Sequence, residues 1–422
     1  MTNTTSPEVR ENRRARAAVA LLFLTNGAVP ANLVPLFPAI KSGLGLSNAE
    51  FGFAIAAGPV GALCSGLLAG VLIRRFRSSR VAVVGMILAS ICALLAGTAS
   101  SWVLLAAALF VLGSLDSVVD VAQNSHGLRV QRRYGRSILN SFHAIWSVGA
   151  VLGALMGGVA AGLGIPPGLH LTISAIIFSG VNIIGYRFLL PGPEPAEVEA
   201  PITDPPSGTS RIRSSRTGAG IRWSTYGTLL ALGLIAVSGS IVEDAGSSWA
   251  AVYLSGSLGA GATIAALGFV ALAGMQFVGR IIGDRLVDRF GQRAVARTGG
   301  AITTVGMGLA LAFPTIPGTI VGFGAAGFGV ATLVPAAMHE ADQLPGFRAG
   351  TGLTLLSWMM RLGFLFSPPI VGLIADATSL RVGLLLVPIS GLLVVLLSRV
   401  LSARSNKPAV LLAGHSEDGA PS

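Results

Sequence analysis

Charge is what this sequence lacks. Only 11% of its 422 residues are Asp, Glu, Lys or Arg, and acids are the scarcer sign, 18 against 29 basic residues. A soluble domain has roughly a quarter of its residues charged, so this chain cannot cover a surface that faces water. Cysteine is almost missing. Cys64 and Cys92 both stand in apolar runs, where small buried side chains are expected rather than a disulfide or a metal site. No nucleotide-phosphate loop, metal-ligand cluster or nucleophile elbow stands out, so no ATP-driven pump, enzyme, cofactor or metal is expected.

Apolar length is what the chain has. Hydrophobic residues make up 52% of it, and 56 glycines suit the close approach of helices in a bilayer. A membrane span needs about 20 apolar residues. Such segments run near 17–39, 50–73, 80–99, 102–125, 139–162 and 169–190, and again near 225–254, 262–283, 294–313, 317–338, 350–374 and 381–402. The expectation is an all-α membrane protein of twelve transmembrane helices. The first run is too long for a signal peptide and is read as an uncleaved span.

The basic residues orient these spans. Arg10, Arg13, Arg14 and Arg16 precede the first. Arg74, Arg75, Arg77 and Arg80 follow the second, and Arg129, Arg132, Arg133 and Arg136 the fourth. Arg211, Arg213, Arg216 and Arg222 follow the sixth, and Arg285, Arg289, Arg293 and Arg297 the eighth. Arg348, Arg399, Arg404 and Lys407 complete the set, while the opposite loops hold only Lys41 and Arg381. This positive-inside asymmetry puts both termini in the cytoplasm of a bacterial inner-membrane protein. The net charge of +11 is then a topology signal directed at anionic lipid headgroups rather than at nucleic acid.

Residues 191–221 hold Pro191, Pro193, Pro195, Pro201, Pro205 and Pro206 and cannot form a core. They divide the chain into a tail (1–16), a six-helix bundle (17–190), a linker (191–221), a second bundle (222–402) and a tail (403–422). Ser47 and Glu50 have the spacing of a capping box at the start of the second span. Gly149, Gly153 and Gly157 form a small-residue packing face on the fifth.

The halves repeat one feature. The eighth span ends in Gly283-Asp284-Arg285-Leu286-Val287-Asp288-Arg289-Phe290-Gly291-Gln292-Arg293. This loop resembles the signature loop of the major facilitator superfamily, which implies two pseudo-symmetric six-helix bundles working by alternating access. Asp284, Arg285, Asp288, Arg289 and Arg293, with Gly283 and Gly291 for the turn, would form a cytoplasmic latch. In the first half Arg74 stands for the usual acid and Arg77 for the usual glycine, so that loop is degenerate. Residues 115–127, 141–149 and Glu243-Asp244 with Trp249 and Tyr253 resemble the sugar-permease-like branch, relatives of fucose permeases. In the fifth span Gly153-Ala154-Leu155-Met156-Gly157-Gly158 lacks the proline of the antiporter signature, which disfavours a drug antiporter.

Ionisable groups inside a membrane are functional hypotheses. Asp116, Asp120 and Asn124 form one stripe on the fourth span, and His143 stands at a similar depth on the fifth. A carboxylate beside an imidazole can exchange protons. The branch resemblance implies the same, since an acid in this helix couples protons there. The competing reading is a hydrogen-bond network that packs two helices. Glu243, rather than Asp244, is expected to face the cavity and completes the proton-coupling candidates. Asn26, Asn124, Trp146, Trp249, Trp358 and the mid-span Arg361 are the substrate-contact candidates, with Asn32 weaker. Tyr253 is read as an interfacial belt residue. His339, Glu340 and Asp342 are read as partners of the loop arginines.

These features point to a monomeric secondary transporter, with proton-coupled symport of a small polar solute such as a sugar as the leading expectation. Proton-coupled efflux of amphipathic compounds is the alternative. A non-transporting membrane sensor is a third, disfavoured because the tails are too short for an appended domain.

Overall fold

The computed structural model describes residues 7–135, 138–192, 223–344 and 351–403. Beyond Gly192 the expected linker lies outside the described residues, as do residues 1–6 and 404–422 and the loop arginines within those stretches. The first-half helices are α1 (Pro7–Ala31), α2 (Phe37–Gly43), α3 (Asn48–Ser65), α4 (Leu68–Phe76), α5 (Ser78–Gly97), α6 (Trp102–Tyr134), α7 (Leu139–Gly162) and α8 (Pro167–Tyr186). The second half contributes α9 (Trp223–Val252), α10 (Ala262–Phe290), α11 (Gln292–Ala312), α12 (Ile316–Val330), α13 (Leu333–Asp342), α14 (Thr351–Ala377), α15 (Leu380–Gly383) and α16 (Leu386–Leu397).

Ten of the described spans are long and apolar enough to cross a membrane, and the pair α3 and α4, bent by 61°, makes an eleventh. The expected count of twelve is one higher. The difference is α11, which has the length, 21 residues, but is diluted by Arg293, Arg297, Thr298, Gly299, Gly300, Thr303 and Thr304. It packs between α12 and α16 all the same. The first span is interrupted by Pro30: α1 stops at Ala31, and a 3-10 turn, Val34–Leu36, leads into α2. The Ser47–Glu50 capping box is formed, with both reciprocal hydrogen bonds at the N-terminus of α3.

Two findings differ from expectation near the ends. The stretch read as an N-terminal tail is already helical from Pro7, because Arg10–Arg16 continue α1 past the apolar run, and Glu11 pairs with Arg133 of α6 at 3.2 Å. Cys64 is exposed rather than buried, since its face of α3 turns outward; Cys92 is buried. The Arg133–Glu11 pair, Arg80 on Tyr186 at 3.3 Å and Arg293 on Arg399 O at 2.8 Å gather the arginine loops at one end of the molecule. That end is called the basic end below, and its opposite the far end.

The two signature loops share a backbone turn. Gly291 has φ +83° and ψ 157°, and Arg77 at the matching place has φ +74° and ψ 145°. Arg77 is the one non-glycine with positive φ among the described residues. Such a conformation is nearly reserved for glycine and costs a side chain roughly 1–2 kcal/mol. Arg77→Gly is therefore expected to stabilise the protein by about 1 kcal/mol, read as a higher unfolding midpoint in detergent. An unchanged or lower midpoint would show that the turn carries no strain.

The glycine row on α7 meets α1 backbone to backbone. A side chain at Gly149 would strike Leu24 O, and one at Gly153 would strike Ala28 O. The two helices can approach only because those Cβ atoms are absent. Gly153→Val is expected to destabilise by about 2 kcal/mol or more, as overpacking does. It should also lower transport by displacing Asn26 from Trp146, which a uptake assay on folded protein checks.

Candidate functional site

The far half of the molecule is closed where helices of the first half meet helices of the second. Thr263 Oγ1 of α10 donates to Gly158 O of α7 at 3.0 Å. The Asp376 carboxylate of α14 accepts from the backbone N–H groups of Asn48 and Ala49 at 2.9 and 2.8 Å and from the Asn48 side-chain amide at 2.8 Å. Gly52 of α3 lies directly on the Pro368 carbonyl, and Gly372 of α14 on Asn48 O. Trp249, fully buried, packs edge-on against Phe51 at 5.4 Å, and Phe51 against Phe37 at 5.4 Å.

Below this seal the polar groups face each other across an opening. Asp116, Asp120 and His143 are solvent-exposed although they stand in apolar helices, and Asn124, Glu243 and Arg361 are half-exposed. Asp116 Oδ1 accepts from Asn26 at 2.9 Å. Asn26 Oδ1 in turn accepts from the Trp146 indole at 2.9 Å and from Gln123 at 3.3 Å. Gln123 also reaches Asp120 Oδ1 at 3.4 Å, and Asn124 donates to the same oxygen at 2.9 Å. The two carboxylates are thus linked through Asn26 and Gln123. His143 stands edge-on to Phe23, 5.2 Å between ring centres, and is hydrogen-bonded to neither acid; it acts on Asp120 through space.

The opposite wall comes from the second half. Glu243 accepts from Gln276 at 2.9 Å and lies 3.9 Å from Arg280. Asp120 is within electrostatic reach of Arg361, and His143 of Arg280. Arg361 has no ion pair or hydrogen bond of its own among the described residues. Trp358, 51% exposed, stands one turn before it on α14. One wall thus has the carboxylates of Asp116 and Asp120 with their amides, and the other has Arg280 and Arg361 with Glu243 and Gln276.

The signature loop expected to act as a latch makes few side-chain contacts among the described residues. Asp284, Arg285 and Asp288 are exposed and make no hydrogen bond or ion pair among the described residues, while Arg289 rests over the Phe290 ring at 5.3 Å. Arg293 is engaged within its own half, donating to Leu401 O at 3.0 Å and Arg399 O at 2.8 Å. Gly283 is buried against Thr332.

A model of the Major Facilitator Superfamily matches residues 19–286 and 234–421. The chain belongs to this superfamily. It is a multi-pass membrane protein and a transporter of the major facilitator type. It is 32% identical to an uncharacterized transporter, y4wD, of Sinorhizobium fredii, over 91% of this chain and 97% of that one. It is 28% identical to the membrane protein MosC of Rhizobium meliloti, covering 89% and 88%. Among solved structures, a bacterial homologue of the human lysosomal transporter Spinster, inward-facing and occupied, gives a TM-score of 0.69 at 15% identity, covering 91% and 95%. A D-xylose–proton symporter gives 0.68 at 14% identity, covering 93% and 98%. At such identities these two structures speak for the fold alone.

Several candidate residues of this facilitator lie elsewhere than expected. Trp249 is not a stacking surface for solute here. It is walled in by α3, because the glycine at position 52 lets α3 and α14 close over it. Tyr253 is buried at 1% exposure rather than set in an interfacial belt; it opens a wider π-turn, Tyr253–Ser257, that ends the helix inside the packed far end. Asn32 serves far-end packing, accepting from His170 at 2.8 Å and Ser174 at 3.3 Å. Glu340 accepts from the Ser402 N–H at 3.0 Å, and His339 meets Gln343 at 2.9 Å. None of His339, Glu340 and Asp342 pairs with a loop arginine among the described residues.

The sequence reading missed Gln123 and Arg280. Gln123 was hidden because an amide on a helix raises no alarm by itself. Arg280 was legible: it lies inside the apolar eighth span, where a guanidinium demands a partner by the same rule that singled out Arg361.

Proposed function

We propose that this major facilitator is a proton-coupled symporter that brings a small polar solute, such as a sugar, across the bacterial inner membrane. The carrying observation is the pair of acids, Asp116 and Asp120, one turn apart in an apolar helix, water-accessible, and tied to amides rather than to a cation. Acids so placed are costly unless they do something. With alternating access, a proton taken there would equilibrate with one side of the membrane at a time. The half-exposed Asn124 amide and the two acids offer the donor and acceptors that hydroxyl groups require, Asn26 and Gln123 are buried behind them, and Trp146 offers a partly exposed ring face. The likeness of residues 115–127 and 141–149 to the sugar-permease-like branch supports the same substrate class.

In this reading the basic end is cytoplasmic, in keeping with the arginine asymmetry. The conformation described is then open to the cytoplasm, with the latch around Asp288 released and the far end shut. The test is uptake into proteoliposomes under an imposed pH gradient, screening hydroxylated solutes. Accumulation that collapses with a protonophore is the expected result. Solute accumulated against its gradient inside inside-out vesicles when their lumen is acidified would favour antiport instead.

A further inference from the structure

The cavity does not use the most deeply buried acid. Asp244 stands beside Glu243 but turns into the contact between α9 and α14, where it is 5% exposed. Its Oδ1 accepts from Ser248 at 3.0 Å. Its Oδ2 and Ser367 Oγ, the side chain that acts on it from α14 and is itself 1% exposed, face each other without a well-formed hydrogen bond. Among the described residues the only charged group that acts on Asp244 is Glu243, which has the same sign. A carboxylate withdrawn from water without a counter-charge is strongly unfavourable. The site thus holds one negative charge too many and two oxygens with nothing between them.

The local helix leaves backbone oxygens without their usual donors. Pro368 and Pro369 follow Ser367 inside α14 and have no N–H, so the carbonyls of Phe364 and Leu365 lose their helical donors within a turn of the site. Hydroxyls, a carboxylate and free carbonyls are hard oxygen donors, suited to a small cation. No imidazole or thiolate stands among them, which disfavours a transition metal.

We infer that Asp244, Ser248 and Ser367 form a second cation site, separate from Asp116 and Asp120, that holds one monovalent cation between Asp244 Oδ2 and Ser367 Oγ. The cation is a sodium ion or a proton; both neutralise the carboxylate and join the two oxygens. The site also lies directly behind the far-end seal, since the Pro368 carbonyl next to Ser367 is the group on which Gly52 rests. Filling it would firm α14 where α14 closes on α3. The inference rests on the chain being a transporter but not on the coupling role given to Asp120.

The experiment uses purified full-length protein in detergent, comparing sodium chloride with choline chloride at constant ionic strength, together with infrared spectra at neutral pH. If sodium binds, sodium but not choline raises the unfolding midpoint, Asp244→Asn abolishes that rise, and Ser367→Ala weakens it. If a proton is held, sodium has no effect, and the wild-type spectrum contains a protonated-carboxyl stretch that Asp244→Asn removes and Asp120→Asn leaves. The inference is overturned if wild-type protein shows no sodium response and Asp244→Asn subtracts no carboxyl band. It is also overturned if Ser367→Ala, which removes one ligand and folds independently of the acid, leaves a sodium response unchanged. Failure of Asp120→Asn to disturb uptake would sink the proposed coupling site and leave this one standing.

Discussion

Asp120→Asn is expected to reduce pH-gradient-driven accumulation to the level of protein-free liposomes while counterflow exchange of solute persists. Asparagine keeps the oxygen that accepts from Asn124 at 2.9 Å and Gln123 at 3.4 Å, so the α6 network can survive the change. What it removes is the proton that can come and go and the charge that faces Arg361. A carrier fixed in the neutral form can still cycle loaded with solute, but it cannot release a proton on the second side. The gradient then has nothing to pull on. Asp116→Asn is expected to do less, because Asp116 meets its partner Asn26 at 2.9 Å and faces no guanidinium. Intact gradient-driven accumulation in Asp120→Asn would remove Asp120 from the coupling role. Loss of exchange as well as accumulation would show that the network positions solute rather than protons.

Much of the fold was legible because the bilayer imposes it. Apolar length marks a span whatever packs around it, and arginine placement marks a face. The break at Pro30, the cap at Ser47 and the glycine face of α7 followed from local chemistry. The count faltered at α11, where Arg297 and threonines dilute a span that neighbouring helices nevertheless enclose. The site was legible as residues and illegible as contacts. Intramembrane Asp116, Asp120, Glu243 and Arg361 announced themselves through their cost. Which of them meet depends on helix rotation, and a single residue step of about 100° separates the half-exposed Glu243 from the buried Asp244. Trp249 illustrates the limit: an aromatic beside two acids reads as a solute platform, and only the approach of α3 through Gly52 shows it walled into the seal. The latch reading met a different limit. A signature loop states which residues can lock an access state, whereas the conformation decides whether they do, and here Asp284, Arg285 and Asp288 are free of partners among the described residues.

Asp376→Ala is expected to tip the protein toward the state open at the far end. The carboxylate receives three hydrogen bonds from α3, two of them from the backbone N–H groups of Asn48 and Ala49 at 2.9 and 2.8 Å. Those N–H groups sit at a helix N-terminus, where the backbone dipole favours an anion. The bonds join the two halves, so they exist only while the far end is shut and vanish when it opens. Each hydrogen bond to a charged group contributes about 1.5–3 kcal/mol when shielded. Asp376 is exposed, and water screens much of that. A net loss of about 1–2 kcal/mol corresponds to a shift of roughly tenfold in the ratio of the two states. Asp376→Asn should shift it less, since one amide oxygen can still accept. Spin labels or single cysteines placed on either side of the Gly52–Pro368 contact would read the change as longer distances or faster labelling from the far side. The reciprocal arm uses Asp288→Ala in the opposite loop. If Asp288 locks the alternate state, its removal shifts the ratio the other way, and the double variant returns toward wild type. An Asp376→Ala variant whose far side stays as closed as the wild type would assign the seal to the packing of Gly52, Phe51 and Trp249 alone.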